Sequence, residues 1–304
     1  MAVRPRRSVL YMPGANARAL VKARTLPADG LILDLEDSVA PDAKDQARAT
    51  VLEAVRTGGY GGRELVIRVN GLDTPWGYAD LVAAATAGAD AVLVPKVESG
   101  EALRMAERVL VNAGAPDTLQ LWAMMETPRA ILDAGSVASA TRRLTCLVMG
   151  TSDLTKDLNA RDLPDRLPMQ ASLAATLLAA RAHGLAALDG VHVDLEDTDG
   201  FAASCRQGRA LGFDGKTLIH PNQLEAANEA FAPTAAEVEK ARKIIAAHAE
   251  AMAAGKGITV VDGKLVEALH VETARRTVAL AEAIGGDLCP LPGERVARPP
   301  GRDG

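Results

Sequence analysis

Short apolar runs recur along the first three-quarters of the chain, and each is followed by an Ala/Leu-rich stretch with apolar residues at helical spacing. The runs predict strands at Ser8–Met12, Leu31–Leu35, Leu65–Val69, Ala91–Pro95, Leu119–Met125, Leu144–Gly150, Ala186–Gly190 and Lys216–His220. Between them, stretches such as Asp42–Val55, Gly100–Val111, Met169–Ala182 and Asp199–Leu211 predict helices. Eight alternations of strand and helix predict an α/β protein, a closed parallel (β/α)8 TIM barrel. An open doubly wound sheet is the alternative, but it calls for a glycine-rich phosphate turn of the Gly-x-Gly-x-x-Gly type, which the chain lacks.

After Pro221 the pattern changes. Thr234–Ala254 predicts one long helix with Thr234 as N-cap and Glu237 as its capping-box partner. A glycine-punctuated hairpin and a last helix, Val271–Ile284, follow. The expected organisation is a catalytic barrel over 1–230, a helix-and-hairpin appendage over 231–284, and a Pro/Gly/Arg-rich tail, 285–304, expected to be disordered.

Composition narrows the function classes. The 304 residues suit a barrel of about 250 with an appendage. Aromatics at 3% and a net charge of −5 argue against nucleic acid as the main partner. No apolar run approaches the roughly 18 residues of a membrane span, and the basic start, MAVRPRRSVLYMPG, has too short an apolar stretch for a signal peptide. Cys146, Cys205 and Cys289 are too widely spaced for a disulfide framework or a zinc site, which points to a cytoplasmic protein.

The chemistry lies at the strand ends. In an α/β barrel the rim beyond the strands' C-terminal ends is where catalysis happens. Polar residues gather there in turn: Asp34, Glu36 and Asp37; Arg68 and Asn70; Lys96; Glu126; Asp153; Asp189 and His192; His220. Glu126 and Asp153 follow neighbouring strands, and two such carboxylates suit Mg²⁺, a hard cation that takes few protein ligands. The alternative is that each caps the helix behind it. Arg68 is either paired with the Asp34–Asp37 cluster or a fork for a substrate carboxylate or enolate. Lys96 could form a Schiff base, although carboxylate neighbours would keep it charged. Peptide amides at Gly150 and Thr151 are candidates for binding a substrate oxygen. His192 and His220 have no second histidine at ligand spacing and read as structural.

At this point the chain resembles the HpcH/HpaI aldolase and citrate lyase β-subunit superfamily, in its CoA-ester branch. The resemblance is carried by RSVLYMPG (7–14), LDLEDSVAPDAKDQAR (33–48), RVNGLDTPWG (68–77), PKVES (95–99), MMETP (124–128), MGTSDLTKDL (149–158), GFDGKTLIHPNQ (212–223) and VVDGKLVEALH (260–270). It implies a barrel assembled as a homotrimer or hexamer, Mg²⁺ on Glu126 and Asp153, and Arg68 at the substrate's oxyanion or carboxylate. It also implies basic residues for the CoA moiety near the mouth. Arg7, Arg18, Lys22, Lys44 and Arg48 are the candidates, with Arg18 and Lys22 on the first helix preferred.

One position departs from the pattern. The family's lyases carry a hairpin aspartate, in a V-D-x-P form, that enters the neighbouring subunit's site as acid/base. Here Glu267 stands in that place and the proline is absent. In this the chain resembles the malyl-CoA thioesterase-type members. The expected activity is Mg²⁺-dependent chemistry on an acyl-CoA, (3S)-malyl-CoA first. It would proceed by thioester hydrolysis or by C–C cleavage to glyoxylate and acetyl-CoA, with Arg68 and Glu267 as catalytic residues. Alternatives are a β-methylmalyl-CoA or citramalyl-CoA lyase, a citrate lyase β subunit working on a carrier-bound substrate, a free-oxoacid aldolase, or a non-catalytic trimeric module.

Overall fold

Continuous burial explains why the strands form. A barrel strand is covered on both faces, so it reads as an unbroken apolar run, and β2 (Gly30–Asp34) is buried at every residue. The computed structural model describes residues 4–285. The predicted tail, apart from Gly285, and Cys289 lie outside the described residues. The other strands are β1 (Ser8–Pro13), β3 (Glu64–Arg68), β4 (Ala91–Val94), β5 (Gln120–Met125), β6 (Leu144–Met149), β7 (Ala186–Asp189) and β8 (Gly215–Leu218). They close into a parallel eight-stranded barrel, with β8 pairing β1 through Val9↔Thr217 and Leu10↔Leu218. The (β/α)8 fold expected from the alternation is the fold observed. The eighth strand stops at Leu218, two residues before the predicted end, because His220 leaves the ladder to cap the 3-10 turn Pro221–Gln223.

The helices are α1 (Ala17–Lys22), α2 (Lys44–Thr57), α3 (Gly77–Ala85), α4 (Gly100–Asn112), α5 (Pro128–Leu132), α6 (Ala134–Ala138), α7 (Thr151–Asp157), α8 (Gln170–Ala182), α9 (Thr198–Leu211) and α10 (Leu224–Phe231). In α2, Ala47, Val51 and Val55 recur every fourth residue and are buried, which gives one apolar stripe toward the sheet. The core is two shells. Val9, Ile32, Val66, Leu93, Trp122, Met124, Val148 and Leu188 fill the barrel, and alternate strand residues pack outward against the helices. The N-terminal end of the barrel is plugged by Arg6. Its guanidinium bonds Glu64 at 2.6 and 2.7 Å and stacks on Trp122.

Two compact units divide the chain. One runs Arg6–Phe231; the other is the segment from Ala232 onward with Arg4 and Pro5. In the second unit, α11 (Ala235–Ala253) has the Thr234–Glu237 capping box, and β9 (Thr259–Val261) and β10 (Lys264–Val266) form an antiparallel hairpin. The last helix, α12 (Ala268–Gly285), starts three residues before the predicted Val271. The Glu267 carbonyl accepts N–H bonds from His270 and Val271, so the turn Ala268–His270 joins the helix instead of the hairpin.

Candidate functional site

Side-chain parity decides which strand-end residues face the barrel axis. Successive residues point to opposite faces. Asp34, Arg68 and Glu126 each lie two positions past an interior residue, namely Ile32, Val66 and Met124, and so project into the mouth. There they form one connected network. Arg68 holds Asp34 through two parallel bonds, Nε to Oδ1 at 2.6 Å and Nη2 to Oδ2 at 2.8 Å. Its Nη1 lies 3.0 Å from Glu36 Oε2 and 3.5 Å from Asp37 Oδ2, and its guanidinium sits 4.7 Å from the centre of the Tyr11 ring. Lys96 Nζ donates to Glu36 Oε1 at 2.6 Å. The ion pair with the Asp34–Asp37 cluster read from the sequence is the arrangement found, and it uses the bidentate edge of the guanidinium. A substrate carboxylate would therefore meet the charge and the remaining N–H groups of Arg68 rather than that fork.

Lys96 acts through its backbone as well. Its φ is +47°, a left-handed conformation unusual for a residue with a side chain, and its N–H donates to Glu126 Oε1 at 2.7 Å. Burial would lower the Lys96 pKa, but the bond to Glu36 and the surrounding carboxylates hold the ammonium above its ordinary range. A Schiff base needs a neutral amine, and the ion pair with Glu36 favours the charged one.

Glu126 is 2% exposed. Burial pushes its carboxyl up to about 7; the Lys96 N–H and Arg68 pull it down, and Glu36 and Asp153 push it further up. Asp34 and Glu36 have cations beside them, whereas Glu126 has only a peptide N–H. Its Oε2 lies along Gly150, where a Cβ would come within 2.5 Å of it. The glycine thus leaves the path that this carboxylate occupies. Asp153, in the first turn of α7, adds its charge and faces Lys156 at 3.3 Å. A buried carboxylate raised by neighbouring carboxylates is the electrostatic setting that a divalent cation relieves. No group of three or more His, Cys, Asp or Glu residues poised to hold a metal occurs among the described residues. Glu126 and Asp153 would then be two protein ligands completed by water and substrate oxygens, a donor set that fits Mg²⁺.

Other expected participants lie elsewhere. Asp189 is at a strand end but has the outward parity of Ala187. It is fully buried between barrel and helices, bound by Arg166 Nη1 at 2.8 Å and Lys216 Nζ at 3.1 Å. His220 Nδ1 accepts the Asn222 N–H, and His192 packs edge-on to Phe201; both are structural in this arrangement. Of the candidate CoA-binding residues, Arg7 precedes β1 and pairs with Asp29 at the barrel's opposite end. Lys44 is buried, donating to the carbonyls of Leu35 and Glu36, and Arg48 is paired with Asp80 and Asp45. Those three hold the scaffold. Arg18 and Lys22 are exposed on α1, which starts just past the C-terminal end of β1. The Gly150 N–H is spent on the Met125 carbonyl. The amides of Thr151 and Ser152, in the first turn of α7, belong to the set that a helix leaves unbonded. Glu267 belongs to the C-terminal unit, where its N–H donates to His270 Nδ1.

Two contributors escaped the sequence reading. Tyr11 is an in-facing residue near the end of β1, visible only through strand parity. The left-handed backbone at Lys96 has no local signal, since neither glycine nor asparagine marks it.

The chain and its fold have counterparts among known proteins. The family described as HpcH/HpaI aldolase/citrate lyase matches residues 7–221. The chain is 56% identical over 280 residues to a (3S)-malyl-CoA thioesterase of Cereibacter sphaeroides (strain KD131 / KCTC 12085), covering 92% of this chain and 96% of that one. It is 35% identical over 287 residues to the citrate lyase subunit beta of Escherichia coli (strain K12), covering 93% and 95%. Among solved structures, protein CitE from Mycobacterium tuberculosis, in complex with magnesium, acetoacetate and coenzyme A, superimposes with a TM-score of 0.71 at 27% identity. That match covers 90% of this chain and 97% of the other.

Proposed function

The chain belongs to the HpcH/HpaI aldolase/citrate lyase family, and on that premise we propose that it is a Mg²⁺-dependent enzyme acting on (3S)-malyl-CoA by hydrolysis of the thioester. One observation carries the reading: Glu126 is a buried, cation-demanding carboxylate inside a barrel mouth. The 56% identity to a malyl-CoA thioesterase over nearly the whole chain supports the substrate. Mg²⁺, held by Glu126 and Asp153, would supply Lewis-acid charge to the oxygens of the hydroxy-acid end.

The protein's own groups then have definite tasks. Asp34 and Glu36 fix the Arg68 guanidinium, which presents positive charge to the acyl group. The Lys96 amide fixes one oxygen of Glu126. First-turn amides of α7, Thr151 among them, would offer donors to an acyl or carboxylate oxygen, and Arg18 and Lys22, exposed on α1, would supply cations to a CoA phosphate. Glu267, supplied by a neighbouring copy in a homotrimer or hexamer, takes a proton from the attacking water. Water oxygen bonds to the thioester carbon, the C–S bond breaks, and the proton passes to the CoA sulfur.

The likeness to citrate lyase subunits favours a second reading, cleavage of the bond between the hydroxyl-bearing carbon and the methylene, which yields glyoxylate and acetyl-CoA. One assay separates the two: malyl-CoA with Mg²⁺, following free CoA and glyoxylate independently. Free CoA without glyoxylate marks one-step hydrolysis, and glyoxylate with intact acetyl-CoA marks lysis. Glu126→Gln and Asp153→Asn should each abolish turnover while leaving the fold intact, as should EDTA reversibly. Full activity in metal-free buffer would rule the proposal out.

A further inference from the structure

The barrel mouth has a floor, and the floor is a phenol. Tyr11 shares in-facing parity with Val9 and packs against the interior cluster. Its hydroxyl donates to Met124 Sδ at 3.4 Å. Met124 is on β5 and Tyr11 on β1, opposite staves of the closed barrel. The side chain therefore crosses the barrel axis. Beneath it Val9, Ile32, Val66 and Trp122 are fully buried, so nothing enters deeper than the ring. Beside it stands the Arg68 guanidinium, itself fixed by Asp34.

The hydroxyl's present partner is a thioether, a weak acceptor. Such an O–H keeps most of its donor capacity for a better acceptor. CoA is far too bulky for a filled barrel, so an acyl-CoA must enter acyl end first. The atoms farthest from sulfur then reach the floor. On the substrate class proposed above, that end carries a carboxylate, which would lie between a cation and a phenolic donor.

We propose that Tyr11 contacts substrate directly, its phenolic O–H donating to the carboxylate-bearing end of the acyl group and so selecting acyl-CoA esters that carry one. This rests on the reading of the site given above, but its test does not depend on turnover. If Tyr11 is only packing, the ring suffices and the oxygen is dispensable.

The chain has three tyrosines, Tyr11, Tyr60 and Tyr78. Uniform 3-fluorotyrosine labelling of the Mg²⁺-loaded protein gives one fluorine resonance for each, and Tyr11→Phe identifies the one that disappears. Saturating glyoxylate, a small stand-in for the acid end, should shift the Tyr11 resonance, and free CoA should not. In parallel, Tyr11→Phe should lower kcat/KM for malyl-CoA by about 10- to 100-fold, the value of one hydrogen bond to a charged group. Its Tm and its Mn²⁺ affinity, read by electron paramagnetic resonance, should match the parent. A Tyr11 resonance indifferent to glyoxylate, or a kcat/KM within about twofold of the parent, overturns the proposal. If the parent itself does not turn over malyl-CoA, the functional reading fails, and the fluorine shift alone decides the role of Tyr11.

Discussion

Glu126, the proposed metal ligand, is shaped by its surroundings at the scale of a single residue. The Lys96 N–H fixes one oxygen, Gly150 leaves room for the other, and burial with nearby carboxylates pushes the group up to about 7 from an ordinary 4.5. In metal-free protein the folded state therefore holds a proton that the unfolded chain releases near pH 4.5. That stabilisation is fully present below about pH 4.5 and is lost as pH rises through 7, on the order of 3 kcal/mol in all. A bound divalent cation reverses the balance by favouring the ionised carboxylate. Thermal unfolding in EDTA from pH 4.5 to 8 should show the parent losing stability relative to Glu126→Gln. Mg²⁺ at pH 8 should raise the Tm of the parent and leave the variant unmoved. Parallel curves with no Mg²⁺ effect would remove Glu126 from the metal site. Neither support for this carboxylate was legible in the sequence: Gly150 looks like any strand-end glycine, and nothing near Lys96 announces a left-handed turn.

At the scale of elements, the barrel was legible because parallel strands buried on both faces leave continuous apolar runs. The rim was legible only in part. Position at a strand end brought Asp34, Arg68, Glu126 and Asp189 into one set, but parity sends Asp189 to the opposite face from the other three. The sequence holds that information, since Asp189 follows the interior Leu188 by one residue while Asp34 follows Ile32 by two. What it does not show is the partner set. Asp189 meets Lys216 from the next strand and Arg166 from a loop 23 residues upstream, itself in a left-handed conformation. Lys216 is wholly buried, and burial lowers its pKa despite Asp189. Asp189→Asn leaves two cations facing each other without their anion, a change that costs about 3–5 kcal/mol for a broken buried pair. Adding Lys216→Met removes the wholly buried one of the two stranded charges and should recover much of that loss. Urea unfolding of both variants checks this, and a single-variant loss under about 1 kcal/mol would show the cluster to be hydrated and weak.

At the scale of the whole molecule, the residues proposed for the chemistry fall in two units. The barrel holds Arg68 and Glu126 in one mouth, while Glu267 immediately precedes α12 in the C-terminal unit. That unit's hairpin also exposes Ile258, Val260 and Leu265, the kind of apolar surface that neighbouring copies of a chain cover. A neighbour's surface leaves no periodicity in a sequence, which is why the expectation that Glu267 reaches a neighbouring site came from the family resemblance and not from the residues themselves. If Glu267 completes a neighbour's site, Glu267→Gln and Glu126→Gln chains are each inactive alone, yet co-expressed they assemble mixed oligomers. A barrel from the first then meets the intact Glu267 of the second, and about a quarter of the sites become whole at a one-to-one ratio in a ring of like interfaces. Activity should return to roughly that fraction of the parent. The length of the acid should matter as well. Glu267→Asp draws the carboxylate back by one methylene, a displacement large enough to alter proton transfer. It should raise glyoxylate release relative to free-CoA release from malyl-CoA. No recovery on co-expression, together with an unchanged product ratio for Glu267→Asp, would place Glu267 on a passive surface and leave the proton carrier to be sought within the barrel mouth.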